Sequence, residues 1–154
     1  MFECAGAEAK EGQGKEGDWE NPVETAFSLK GQDIRTYSPL VLAFIGDGVY
    51  DLIVRTLVVE QGNTHANLLH KRCSQLVKAE TQASMIEHLL PLLSEEETAI
   101  YKRGRNAKVG SKARSASLAD YKRATGFETL MGYLYLDHKM DRILELVRLG
   151  LEEA

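Results

Sequence analysis

Residues 38–60 read SPLVLAFIGDGVYDLIVRTLVVE, and the reading of this stretch decides the fold. Ser38 followed by Pro39 has the form of an N-cap with proline at the first helical position. Gly62 stands where such a helix would stop. Between Pro39 and Val59 nearly every residue is apolar, so no face is built for water and a central helix packed on all sides is expected. Asp47 and Asp51 nonetheless sit inside it one turn apart. A lone buried carboxylate is costly unless it is protonated, paired or bound to a metal. Gly46 and Gly48 flank Asp47, each weakening a helix by ~1 kcal/mol relative to alanine. Two readings stand. Bare backbone admits a ligand, a metal or a second helix, or the glycines are packing notches around a satisfied core acid.

The 154 residues have room for one domain with a sizeable core, or one domain and a tail. An apolar helix of about 20 residues is long enough to cross a bilayer, but two acids and two glycines midway speak against a membrane span. The amino terminus lacks the basic-then-apolar order of a secretion signal. Cys4 falls in a polar tail and Cys73 in a helical stretch, a poor disulfide match that suits a reducing cytoplasm. The net charge of −4 averages over unequal parts. Residues 1–24 hold seven acids against two lysines. Residues 101–123 hold Lys102, Arg103, Arg105, Lys108, Lys112, Arg114, Lys122 and Arg123 against Asp120 alone. A local basic cluster says more about partners than the overall charge does.

Residues 1–20 are rich in Gly, Glu and Lys and read as a disordered acidic tail; residues 21–154 read as one domain. Trp19 to Leu29 is expected to form an entry turn or short helix, with Trp19, Val23, Phe27 and Leu29 docking on the body. A helical stretch from Thr64 carries Leu68, Leu69, Leu76 and Val77 on one stripe and His70, Lys71, Arg72 and Lys78 on another face. Ala79 to Leu93 continues as helix, interrupted near Pro91, with Ala83, Met85, Ile86, Leu89 and Leu90 inward. Ser94 and Glu97 form a capping box for a short helix that gives out at Arg103-Gly104. Arg105 to Ser117 reads as a long mobile basic loop. From Leu118 a further helix runs to Leu136, apolar on most sides in its later half and again holding one acid, Glu128. Asp137-His138 ends it, and residues 141–152 close the chain with Ile143, Leu144, Val147 and Leu151 as an apolar stripe. No segment alternates with period two, so the fold class is all-α.

Two mostly apolar helices thus each carry an acid and nearby glycines, Gly46 and Gly48 in one, Gly126 and Gly132 in the other. If they pack together, Asp47 and Glu128 can face one another. Two apposed carboxylates repel unless one is protonated, and a divalent cation removes the conflict. A few oxygen ligands suit Mg²⁺, which keeps its waters and takes further ligands from phosphates. Such an ion polarises a phosphodiester and lowers the pKa of water, while the basic segment neutralises a long polyanion. Against this, a charged loop can be merely solvated and Glu128 a paired structural acid. His65, His70, His88 and His138 show no metal-ligand spacing, and Cys73 has no partners for nucleophilic work.

At these residues the chain resembles a known family. LAFIGDGVY, residues 42–50, is similar to the signature of the ribonuclease III catalytic domain, and FETLMGYLY, residues 127–135, to its second catalytic motif. RGRNAK, residues 103–108, resembles a segment of the short bacterial subgroup, Mini-ribonuclease III. The similarity spans residues 35–150 in the expected order. It implies an α-helical, dimeric domain that cuts double-stranded RNA with Mg²⁺, one cut per strand, leaving 5′-phosphate and 3′-hydroxyl ends. No separate double-stranded-RNA-binding domain follows the motifs, which also matches the subgroup, whose role is maturing precursor large-subunit (23S) ribosomal RNA. That RNA, free or bound by ribosomal protein, and a second copy of the chain are the implied partners, in the cytoplasm and not at a membrane.

The resemblance carries over the signature aspartate as Asp47 and the metal-binding glutamate as Glu128. Where longer members have further acids, this chain has Leu40, Ala43 and Thr125. Asp51 and Asp120 either supplement the pair or form surface salt bridges. Lys71, Arg72, Lys78, Arg103, Arg105, Lys108, Lys112 and Arg114 are the candidate phosphate contacts, suited to A-form RNA, which is read by shape and phosphates. Two rivals remain at this point: an RNA-binding module of the same fold without catalysis, and an all-α nucleotide pyrophosphohydrolase. The second would need several acids in a short repeat on one helix, and none is present.

Overall fold

A computed structural model describes residues 19–108 and 117–153. Within them lie seven α-helices and two short 3₁₀ turns, Ile34–Thr36 and Leu90–Leu92, with no strand. The helices are α1 (Pro22–Ala26), α2 (Pro39–Glu60), α3 (Ala66–Val77), α4 (Ala79–Leu89), α5 (Glu95–Arg105), α6 (Leu118–Leu136) and α7 (Met140–Glu153). The acidic tail falls almost wholly, and the middle of the basic loop entirely, outside the described residues.

The helix starts are written in short polar side chains. The Ser38 hydroxyl accepts from the Val41 amide, with Pro39 at the first turn of α2. At α5 the capping box is complete: the Glu97 amide donates to Ser94 Oγ at 3.1 Å, and the Ser94 amide donates to Glu97 Oε1 at 2.8 Å. Ser117 caps α6 by accepting from the Asp120 amide. One boundary departs from expectation: the long second stretch breaks at Lys78, whose backbone is extended (ψ 153°). Its cause is tertiary. The Thr81 hydroxyl donates to the Gln75 carbonyl at 2.6 Å, and the Tyr50 hydroxyl donates to the Leu76 carbonyl at 2.6 Å, so both close the corner from outside the helix.

Helix α6 runs through the middle, touching α2, α4, α5 and α7. Ala124, Gly126, Phe127 and every residue from Thr129 to Leu134 are buried. Its closest neighbour is α2. A Cβ placed on Gly46 would lie 1.8 Å from the Glu128 carbonyl oxygen, and one placed on Gly132 would lie 1.9 Å from the Leu42 carbonyl oxygen. The two backbones therefore touch at paired glycines, which is the close approach that only a missing side chain allows. Beside this seam the Tyr50 and Phe127 rings meet edge-on, 5.2 Å between centroids.

The expectation that α2 is packed on all sides does not hold within one chain. Leu42, Tyr50, Val54 and Val58 are buried, but Phe44 is 83% and Leu52 66% exposed. Phe44, Gly48 and Leu52 follow one another at four-residue steps, so they share a face, and there a groove of about 750 Å³ opens between α2, Tyr135, Met140 and Leu144. Leu144 accordingly points out, and Leu146 takes the core place on α7. At the amino end Trp19 docks as expected, against Tyr135 with 5.7 Å between ring centroids. Val23, Phe27 and Leu29 stay about half exposed.

Candidate active site

The α2–α6 seam brings the two acids into one neighbourhood. Gly46 abuts the backbone of Glu128, and Asp47 follows it on α2. Asp47 stands at the exposed lip of the groove rather than in the core, which corrects the picture of two buried acids; Glu128 is half-buried. Burial pushes the Glu128 carboxyl up to about 7, and the charge of Asp47 pushes in the same direction. Asp47 is raised by partial burial and then by Asp51. The asymmetry has a simple origin: Asp47 ionises while Glu128 is still neutral, so only the second ionisation meets the first charge. An acid pair of this kind is starved of a cation.

Sequence reading missed the third polar group here. Gln82 on α4 is 1% exposed, and neither its Nε2 nor its Oε1 has a hydrogen-bond partner. Its amide lies close enough to Glu128 to oppose the rise in that carboxyl's pKa, but it does not reach hydrogen-bond geometry. An unsatisfied buried polar group costs ~1–3 kcal/mol, and native interiors seldom tolerate one. A signal was present in the spacing. Gln82, Ile86 and Leu89 follow the i, i+4, i+7 pattern of a buried stripe, with an amide where a hydrocarbon belongs.

The other acids are accounted for elsewhere. Asp51 accepts from Arg55 Nε at 2.7 Å in an exposed i, i+4 ion pair. Asp120 lies 3.8 Å from Arg123, which also pairs with Glu87 at 2.9 Å. Thr125 donates to the Tyr121 carbonyl, so nothing at that position replaces a carboxylate. Among the described residues no three His, Cys, Asp or Glu side chains group as a ready-made metal cage. The fit of a divalent cation thus rests on two carboxylates, Asp47 at the open lip and Glu128 half-buried, with the unpartnered Gln82 amide near Glu128. That donor set suits Mg²⁺, which dehydrates reluctantly and accepts few protein ligands.

Of the candidate phosphate contacts, Lys71 and Arg72 on α3 are exposed, and Lys78 beyond its end donates to Gln75 Oε1 at 3.0 Å. Arg103 and Lys108 are exposed, and Arg105 stacks over the Tyr101 ring at 5.6 Å. Lys112 and Arg114 lie outside the described residues.

Helical bundle, glycine seam and acid pair together define a class. The family model for the Ribonuclease III domain matches residues 40–139, from the first turn of α2 to the turn after α6. Proteins named Mini-ribonuclease 3 match most of the chain. The one from Clostridium tetani is 45% identical over 119 residues, 77% of this chain and 79% of that one. The one from Brevibacillus brevis is 47% identical over 117 residues, 76% of this chain and 87% of that one. The crystal structure of protein FN1578 from Fusobacterium nucleatum superposes with a TM-score of 0.72 at 32% identity, covering 79% of this chain and 98% of that one. The chain belongs to the ribonuclease III family, within it to Mini-ribonuclease 3, and is an endoribonuclease.

Proposed function

We propose that this endoribonuclease cuts double-stranded RNA as a Mg²⁺-dependent homodimer, with Asp47 and Glu128 as catalytic metal ligands and precursor large-subunit (23S) ribosomal RNA as substrate. The observation that carries the reading is the acid pair: two carboxylates from different helices, one at an open lip, with the Glu128 carboxyl raised to about 7. When bound, the cation would polarise the scissile phosphodiester and lower the pKa of water near it. The protein's own part is to hold its ligands. The Gly46–Gly132 contact fixes the distance between α2 and α6, and the capped start of α6 fixes its register. Lys71, Arg72, Lys78, Arg103, Arg105 and Lys108, with Lys112 and Arg114 of the adjoining loop, supply phosphate contacts along an A-form duplex. Products carry 5′-phosphate and 3′-hydroxyl ends.

The exposed apolar face supports the dimer. Phe44, Leu52 and Leu144 form a contiguous groove wall of a kind that monomeric proteins rarely leave bare, and Asp47 lines the same groove. A second copy seated there covers the hydrocarbon and sets two acid pairs near one interface, one for each strand. No helix among the described residues is long and apolar enough to cross a membrane. The proposed RNA substrate and the free buried thiol of Cys73 support a cytoplasmic location.

The test is cleavage of a duplex RNA with Mg²⁺ by the wild type, Asp47→Asn and Glu128→Gln. Both variants fold, retain RNA in a gel-shift assay and cut at least 100-fold more slowly, the scale on which a lost charge stabiliser is felt. Wild-type cutting by both overturns the assignment. Retention without scission by the wild type would favour a binding module instead.

A further inference from the structure

Among the described residues, the orphaned amide of Gln82 is a feature near the acid pair that packing does not explain. Gln82 sits on α4, which packs on α6, the helix that carries Glu128. Its neighbours on α4, Ala83, Met85 and Ile86, are buried hydrocarbon and offer it nothing to bond. Fold stability alone would favour leucine or methionine here, since replacing unsatisfied polar atoms with apolar ones of like shape is neutral or stabilising. The amide is also too deep to meet an RNA chain directly, at 1% exposure. What can reach it is the Glu128 side chain and a water molecule.

We infer that Gln82 is a positioning residue of the acid pair: its Nε2–H holds the Glu128 carboxylate in the orientation in which it shares a divalent cation with Asp47, and its Oε1 accepts a hydrogen bond from a water in the filled site. The inference rests on the cation reading above and names what orients one of the ligands. The chemistry is that of groups one layer out from a metal. A carboxylate using one oxygen for a cation leaves the other to be fixed by a neutral donor, and a donor without charge adds no repulsion to the cation. Glutamine is suited to this because it donates and accepts at once without changing the charge of the site.

The experiment is carried out on the full chain with Gln82→Leu and Gln82→Met, the second being unbranched and of the same length. Two readouts are taken. One is the rise in melting temperature on adding Mg²⁺ or Mn²⁺ without RNA; the other is the Mg²⁺ concentration at half-maximal cleavage of a duplex RNA, with kcat and KM separated. Expected are a cation-free melting temperature at or above that of the wild type, a smaller cation-induced rise, and half-saturation in Mg²⁺ displaced 10- to 100-fold, the range for lost second-layer partners. The loss falls on kcat, with KM for RNA unchanged. Wild-type cation response and wild-type Mg²⁺ half-saturation in the variants would overturn the inference, and so would a fall in stability with unchanged metal response, the mark of a merely structural amide. Asp47→Asn serves as the control. If it loses the cation response while the Gln82 variants keep it, only Gln82 is wrongly assigned; if it too responds as wild type, the cation reading itself fails.

Discussion

The two sides of α2 share a composition and have opposite fates. On one side Leu42, Gly46, Tyr50 and Val54 press against α6 with backbone touching backbone. On the other, Phe44, Gly48 and Leu52 face an open groove. Asp47 stands between the two, flanked by one glycine of each kind. The lesson is that the same hydrocarbon in this helix fills the core on one side and lines an open groove on the other, and that the acid is placed where the two meet.

The sharpest way to break that comparison is to give each glycine a methyl group. Gly46→Ala puts a Cβ 1.8 Å from the Glu128 carbonyl, where backbone must move. Overpacking costs ~1–3 kcal/mol or more, and a clash with backbone falls at the upper end, so urea unfolding should show a strongly destabilised variant. Gly48 has nothing within 4 Å of an added Cβ. Before that sister substitution comes the larger effect of the acid itself. Glu128 has a pKa of about 7 in the folded chain and an ordinary value of 4.5 when exposed, so the native state holds more protons than the unfolded state between those values. Cation-free stability therefore falls as pH rises from 4.5 to 7, by up to ~3 kcal/mol. Glu128→Gln removes that slope, and at pH 8 in EDTA it should melt above the wild type; equal pH profiles would show that the carboxyl is not perturbed.

Smaller effects belong to the open side. Phe44→Asp changes a ring that is 83% exposed in one chain, so the chain's own stability shifts by within ~0.5 kcal/mol while the mass by light scattering halves. A dimer that survives it would place the partner elsewhere. In that background Gly48→Ala should add about 1 kcal/mol through helix propensity alone, the reverse sign of Gly46→Ala. Equal losses at both glycines would erase the distinction between seam and open face.

Much of this architecture was legible from side-chain chemistry at the helix starts: Ser38-Pro39 and the Ser94–Glu97 box lie where α2 and α5 begin. Local capping needs only neighbours in sequence, so sequence carries it. The break at Lys78 was not legible because its causes, the Thr81 and Tyr50 hydroxyls, act on carbonyls five or more residues away. The bare face of α2 was misread because hydropathy alone cannot tell which apolar side chains of a helix its own chain covers. Asp47 and Glu128 were found as interruptions in apolar runs, a loud signal. Gln82 was quieter: a neutral amide on a helix with polar neighbours stands out only when the buried stripe is counted residue by residue.

The small aromatic clasp at the amino end has a consequence for how the molecule is handled. Trp19 lies on Tyr135, its amide donates to the His138 carbonyl, and the Tyr135 hydroxyl reaches the side chain of Asn21. Tyr135 is at the same time part of the groove wall beside Phe44. Removal of Trp19, Glu20 and Asn21 takes these contacts away, so the groove wall can loosen while every helix that carries chemistry stays whole.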